Sequence, residues 1–158
     1  MELTGIHHVT LLVEDQDKAA WFYGEVLGLE EKGRPSFKFP GLFYFCGNQE
    51  IHLIVAAETL HKDDLFIDIG VDETGEGESE VVTRRHIHRH AAFLVSDLKE
   101  LRARLEAHGV EILHAEDLTD LNDELAVNMM NGWHKMYGAV PIFVFDPFQN
   151  LIEFVPTL

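Results

Sequence analysis

Two stretches of the chain share one pattern. "HVTLLVED", residues 8–15, and "HAAFLVSD", residues 90–97, both read H-x-x-x-L-V-x-D without a gap, and self-similarity of this kind points to one supersecondary unit used twice. The segments after the two copies are also alike. "DKAAWFYGEVLGLEE" sets Ala19, Phe22 and Val26 at i, i+3 and i+7, and "DLKELRARLEAHGVEI" does the same with Leu98, Leu101 and Leu105, the spacing of one buried helix face. Asp15 or Asp17 can cap the first helix, and Asp97 with Glu100 forms a capping box on the second. Gly28 and Gly109 then stand where a left-handed C-terminal cap is wanted.

Each half closes on two apolar runs around a turn, "LFYFCGNQEIHLIV" (42–55) and "PIFVFDPFQNLIEFV" (141–155). Gly47-Asn48 and Pro147 to Asn150 supply turn chemistry, so both read as hairpins. Each half is therefore a strand, a helix, then strands ending in a hairpin. The chain divides into a first module (1–60), an acidic, Gly-containing linker (61–83) and a second module (84–158). A length of 158 residues with 46% apolar content fits one domain with a real core. The second half adds an insert, roughly 115–139, rich in Asn and Met and ending "MNGWHKMYGA". It reads as a long loop of the kind that covers sites.

Charge and cysteine usage narrow the partners. A formal charge of −16 repels nucleic acid and anionic membrane surfaces at long range, leaving a small molecule or another protein. Cys46 stands alone, so no internal disulfide forms, which suits a reducing cytoplasm. No apolar run reaches the ~18 residues of a transmembrane helix, and "MELTGIHHVTLLV" reads as a first strand and not as a signal peptide.

Within these apolar strands four polar residues take matching positions: His8 and His90 on the opening strands, His52 and Glu153 on the closing ones. Alternate side chains of a strand share a face and neighbouring strands lie ~4.8 Å apart, so groups on one face of a curved sheet can converge on a single cation. Imidazole and carboxylate suit zinc, iron, manganese, nickel or cobalt, and the mix does not choose among them. No H-E-x-x-H or cysteine-based zinc motif is present. Each residue has an ordinary reading as well: a strand-end histidine is often only hydrogen-bonded and half exposed. Glu153, among apolar neighbours, is costlier to bury without a partner. His86 and His88 fall on the face of His90 but fit a cleft rim, His7 is expected to pack on the opposite side from His8, and His108 complements a helix C-terminus. Trp133, His134 and Tyr137 either close over a site or fill the insert's own small core.

With the repeat, the four positions and "DPFQNLIEF", the sequence resembles the vicinal oxygen chelate superfamily, which includes glyoxalase I, methylmalonyl-CoA epimerase, extradiol dioxygenases and fosfomycin or bleomycin resistance proteins. The similarity spans nearly the whole chain and is strongest at "IHHVTLLVED", "FYGEVLGLEE", "EIHLIV", "RHAAFLVSDL" and "DPFQNLIEF". It implies an α+β fold of two paired βαβββ modules, whose curved mixed sheets enclose a divalent metal held at His8, His52, His90 and Glu153. It also implies a homodimer, in which some members share each site between chains. The chain departs from glyoxalase I, which usually has Glu or Gln where His52 stands, and from the family turn D-P-D-G-N, where it has Phe148 and Gln149. The favoured function is that of a metal-dependent lyase or isomerase. Its small oxygen-chelating substrate passes through a metal-stabilised enolate or enediolate, with Glu153 and His52 as catalytic groups. The alternatives are a ferrous extradiol-type dioxygenase on His8, His90 and Glu153, with His52 as acid or base, and a small-molecule or antibiotic binding protein without catalysis.

Overall fold

The computed structural model describes residues 2–56, 90–113 and 123–157. Strand β1 (His8–Val13) leads into Asp15, whose Oδ1 accepts the Lys18 backbone N–H at 2.9 Å and so starts α1 (Gln16–Ala19). The helix continues as a π-helical stretch, Ala20–Val26. Ala19, Phe22 and Val26 are buried as the spacing predicts, and the widened π turn brings Tyr23 inward beside them. Gly28, at φ 72°, ends the helix. Arg104 of the second half then satisfies its last carbonyls, with Nε donating to Val26 O at 2.6 Å and Nη2 to Glu25 O at 2.7 Å.

The first half continues as β2 (Glu31–Lys32), β3 (Gly41–Cys46) and β4 (Gln49–Val55), forming a sheet of order β1-β4-β3-β2. The second half repeats the design. It comprises β5 (His90–Val95), α2 (Leu98–Ala107), β6 (Ile112–Leu113), α3 (Asp123–Tyr137), β7 (Ile142–Phe145) and β8 (Leu151–Pro156), with sheet order β5-β8-β7-β6. Asp97 Oδ1 caps α2 by accepting the backbone N–H groups of Lys99 and Glu100 at 2.8 and 3.0 Å. In both sheets the opening strand runs parallel to the closing strand, and the hairpin partner runs antiparallel. Both sheets are mixed and open, and the fold is α+β.

Alternation along the strands separates two faces. Val9, Leu11 and Val13 lie beside Ile51, Leu53 and Val55 on the helix side. One core cluster joins these backs of both sheets, running from Val13, Phe22 and Tyr23 to Leu105, Ile152 and Phe154. The other faces carry His8, His52, His90 and Glu153. On that side of the second sheet a smaller cluster of Phe143 and Leu151 is covered by Trp133, with Leu113 and Phe145 at its margin. The insert is therefore no long loop: its described part forms α3, because burial of Trp133 against the sheet stabilises helix that composition alone leaves undetermined. The linker at 61–83, with His86 and His88, lies outside the described residues.

At Gly41 a Cβ would collide with the backbone carbonyl oxygen of Leu53 on the paired strand. Neither backbone can retreat without breaking the β3–β4 ladder, so Gly41→Ala is expected to destabilise the fold by about 2–4 kcal/mol. A shift of the urea midpoint to lower concentration checks it; an unchanged midpoint contradicts the close approach.

Candidate functional site

Strand register delivers the four residues in two pairs. On the first sheet Thr10 and Phe43 flank His52 across the ladder, and on the second Ala92 and Phe143 flank Glu153 in the same way. His52 and Glu153 thus occupy one position in two copies of the unit, and the phenylalanines on β3 and β7 correspond as well.

On the first sheet the imidazoles of His8 and His52 stack with centroids 4.1 Å apart and planes at 14°. Phe43, from the opposite neighbouring strand, stacks on His52 at 3.6 Å and 4°. His52 is thereby held between two rings, and its Nε2 lies 2.9 Å from Glu50 Oε2. Glu50 also pairs with the Lys32 ammonium and lies 4.0 Å from His7 Nε2. The hydrogen bond from His52, followed by that from Lys32, holds the Glu50 carboxyl down at about 2. Whatever stability it contributes is complete above the ordinary glutamate value of 4.5 and is lost as pH falls through about 2. His7, expected to pack away from His8, instead has its Nδ1 3.0 Å from His8 Nδ1 and is exposed, because it precedes the first strand residue and alternation does not yet bind it.

On the second sheet His90 Nε2 lies 2.7 Å from Glu153 Oε2. Glu153 is 7% exposed, so His90 meets the requirement that a buried carboxylate be partnered. Phe143 meets His90 edge-on at 6.1 Å, and Trp133 lies over Phe143 at 5.4 Å.

The geometry brings His8 to His52 and His90 to Glu153. Among the described residues, no group of three or more His, Cys, Asp or Glu side chains within the chain is placed to hold a metal ion. The donor chemistry of the two pairs nevertheless suits a borderline divalent cation: three imidazoles and a buried carboxylate whose neighbour is itself a metal-ligating group. Sequence reasoning passed over Glu50, although its position two residues before His52 on one strand face was a usable signal.

Two open four-stranded sheets, built from one repeated unit and carrying histidine and carboxylate on matched strands, define the class. The Glyoxalase/Bleomycin resistance protein/Dioxygenase superfamily model matches residues 5–154, and the chain belongs to that superfamily. Among solved structures, a protein described as a glyoxalase family member from Bacillus anthracis is 25% identical, covering 100% of this chain and 98% of its own, with a TM-score of 0.61. Lactoylglutathione lyase from Agrobacterium tumefaciens is 20% identical, with 99% and 96% covered and a TM-score of 0.58. A mutant of the fosfomycin resistance protein FosX from Listeria monocytogenes, complexed with Mn(II) and 1S,2S-dihydroxypropylphosphonic acid, is 16% identical, with 99% and 95% covered and a TM-score of 0.61. The last two show likeness of fold. No curated protein matches the sequence. Among the described residues no helix is long and apolar enough to cross a membrane.

Proposed function

We propose that the chain is a divalent-metal lyase or isomerase acting on a small oxygen-chelating substrate, with His8, His52, His90 and Glu153 forming the site across a homodimer. The observation that carries this reading is the pairing itself. The stacked His8–His52 pair and the 2.7 Å His90–Glu153 pair occupy matched registers on two sheets, and neither alone supplies enough donors. A second copy that sets the first sheet of one protomer against the second sheet of its partner joins the pairs.

His8, His52, His90 and Glu153 would hold a divalent ion, which would supply Lewis-acid stabilisation of negative charge on the chelating oxygens. Glu153 takes a proton from the carbon beside the chelating oxygens and returns it, the role of a positioned carboxylate base. His90 orients that carboxylate. His52, fixed by Phe43 and by Glu50, presents an imidazole whose tautomer is set by the Glu50 contact.

Mixing His8→Ala protein with Glu153→Ala protein tests the shared site. Random exchange places one intact site in each mixed dimer, so metal-dependent turnover of hemithioacetals or acyl-thioester epimers is expected to recover to about a quarter of the unmutated level. If every site lies within one chain, no activity returns. Absence of turnover by the unmutated protein with nickel, zinc, manganese and cobalt in turn removes the lyase or isomerase reading. The contact between His52 Nε2 and Glu50 favours a second reading, in which His8, His90 and Glu153 alone form a two-histidine, one-carboxylate set for ferrous iron and extradiol-type cleavage. Oxygen uptake with catechols by iron-loaded protein separates the two, because the lyase consumes none.

A further inference from the structure

Arg34 Nε is shielded from solvent and has no hydrogen-bond partner, and no other buried side-chain nitrogen or oxygen among the described residues shares that state. A guanidinium carries five N–H donors and a permanent charge. Here Nη2 donates to Phe39 O at 2.7 Å and Nη1 to Gly41 O at 3.3 Å, both neutral carbonyls of its own loop. The ion pairs among the described residues do not include Arg34, although the chain has 28 acidic residues against 12 basic ones. Its charge instead lies over three rings, with Phe37 and Phe39 each at 5.3 Å and Phe43 at 5.6 Å. Aromatic faces attract the cation but do not neutralise it, so among the described residues Arg34 has no counter-charge.

Its location gives that uncompensated charge a use. Phe43 is the ring on which His52 stacks, so Arg34, Phe43, His52 and His8 form one row across the face of the first sheet that carries the two histidines. Three of the four lysines and arginines in residues 1–56 fall between 32 and 38; Lys32 is paired with Glu50, and the charge of Arg34 is not spent in this way. The Arg34–Phe39 hydrogen bond lies at the surface, beside Phe37 and Phe39, which stack at 5.1 Å and 7° and are 46% and 42% exposed.

We infer that Arg34 is the anion-recognition residue of the cleft, and that the substrate carries, beyond its chelating oxygens, a carboxylate or phosphoryl group that docks on Arg34 against the Phe37–Phe39 pair. The place of this contact in catalysis rests on the proposed metal site; the anion contact itself does not. A guanidinium fork matches the two oxygens of either group, and an arginine that only fastened its loop would be indifferent to added anions.

Metal-free full-length protein in EDTA, at constant ionic strength, is titrated calorimetrically with benzoate, phenylphosphonate and neutral benzyl alcohol. At least one anion is expected to bind ~10-fold or more tighter than the alcohol, with Arg34→Gln losing ~10-fold or more and Arg34→Lys falling between. The tighter anion identifies the carboxylate or the phosphoryl source. Equal binding of anions and alcohol, or unchanged anion affinity in Arg34→Gln, overturns the inference. Should Arg34→Gln not fold, the 15N–1H resonance of Arg34 Nε in the unmutated protein serves instead: it is expected to move with phenylphosphonate to saturation, and a stationary signal overturns the inference. Loss of the metal reading appears separately, as protein that takes up no divalent ion while still binding the anion.

Discussion

Glu153→Gln is expected to lower metal-dependent turnover ~10²–10⁴-fold while leaving the fold intact. The amide keeps the volume of the carboxylate, and its oxygen can still accept a hydrogen bond from His90, so the buried face of β8 keeps a partner for a polar group that is 7% exposed. It cannot keep the charge or the basicity. On the proposed reading a ligand to the cation and a proton acceptor are lost together, and turnover should fall more than stability. The measurement is kcat at saturating metal beside metal content by elemental analysis and the thermal midpoint. Retained turnover with retained metal would remove Glu153 from the site. A collapsed midpoint would instead point to a structural role for the His90–Glu153 pair.

Asp146→Ala is expected to destabilise the protein by about 3–5 kcal/mol. Asp146 is 2% exposed and lies where the two halves are fastened. Its Oδ2 accepts the Tyr23 hydroxyl at 2.7 Å and Asn150 Nδ2 at 2.8 Å, while Oδ1 accepts the backbone N–H groups of Phe148 and Asn150 at 2.9 and 2.8 Å. Asn150 Nδ2 also reaches Leu12 O at 2.9 Å, across to the first sheet. Alanine leaves the buried Tyr23 hydroxyl without its acceptor and frees the turn that holds Gln149 at φ 69°, a conformation only that turn justifies. Burial, the leading cause, raises the Asp146 carboxyl above its ordinary 3.8 despite these donors. Its folded value therefore exceeds its unfolded one. The penalty for burying the charge is present at neutral pH and is relieved as pH falls through the folded value. Asp146→Asn, which removes the charge and keeps one acceptor, is accordingly expected to cost less than alanine at pH 7, with the gap between it and the unmutated protein widening in acid. Urea midpoints at the two pH values decide this, and a gap between Asp146→Asn and the unmutated protein that is the same at both pH values would show that the charge contributes nothing.

The residues that local chemistry governs were legible in the sequence. Asp15 and Asp97 cap their helices, Gly28 and Gly109 end them in the left-handed region, and both hairpins form where the turn residues stand. The match of His52 to Glu153, drawn from a repeat with unequal turns, agrees with the strand register. These features follow from spacing and backbone preference within a few residues, which the order of side chains records directly.

Other features depend on groups far apart in the chain. Tyr23 and Asp146 meet across 123 residues, Arg104 closes a helix belonging to the other half, and Trp133 turns an expected loop into a helix by finding Phe143. The four candidate ligands belong to both kinds. Alternation along each strand places them on one face, so they could be picked out by pattern. Register within each sheet brings His8 to His52 and His90 to Glu153, and how the two sheets share a core decides whether the two pairs meet, which among the described residues they do not. Pattern reports which way a side chain points along its own strand; the distance between two strands of different sheets is a property of packing, and no local spacing encodes it.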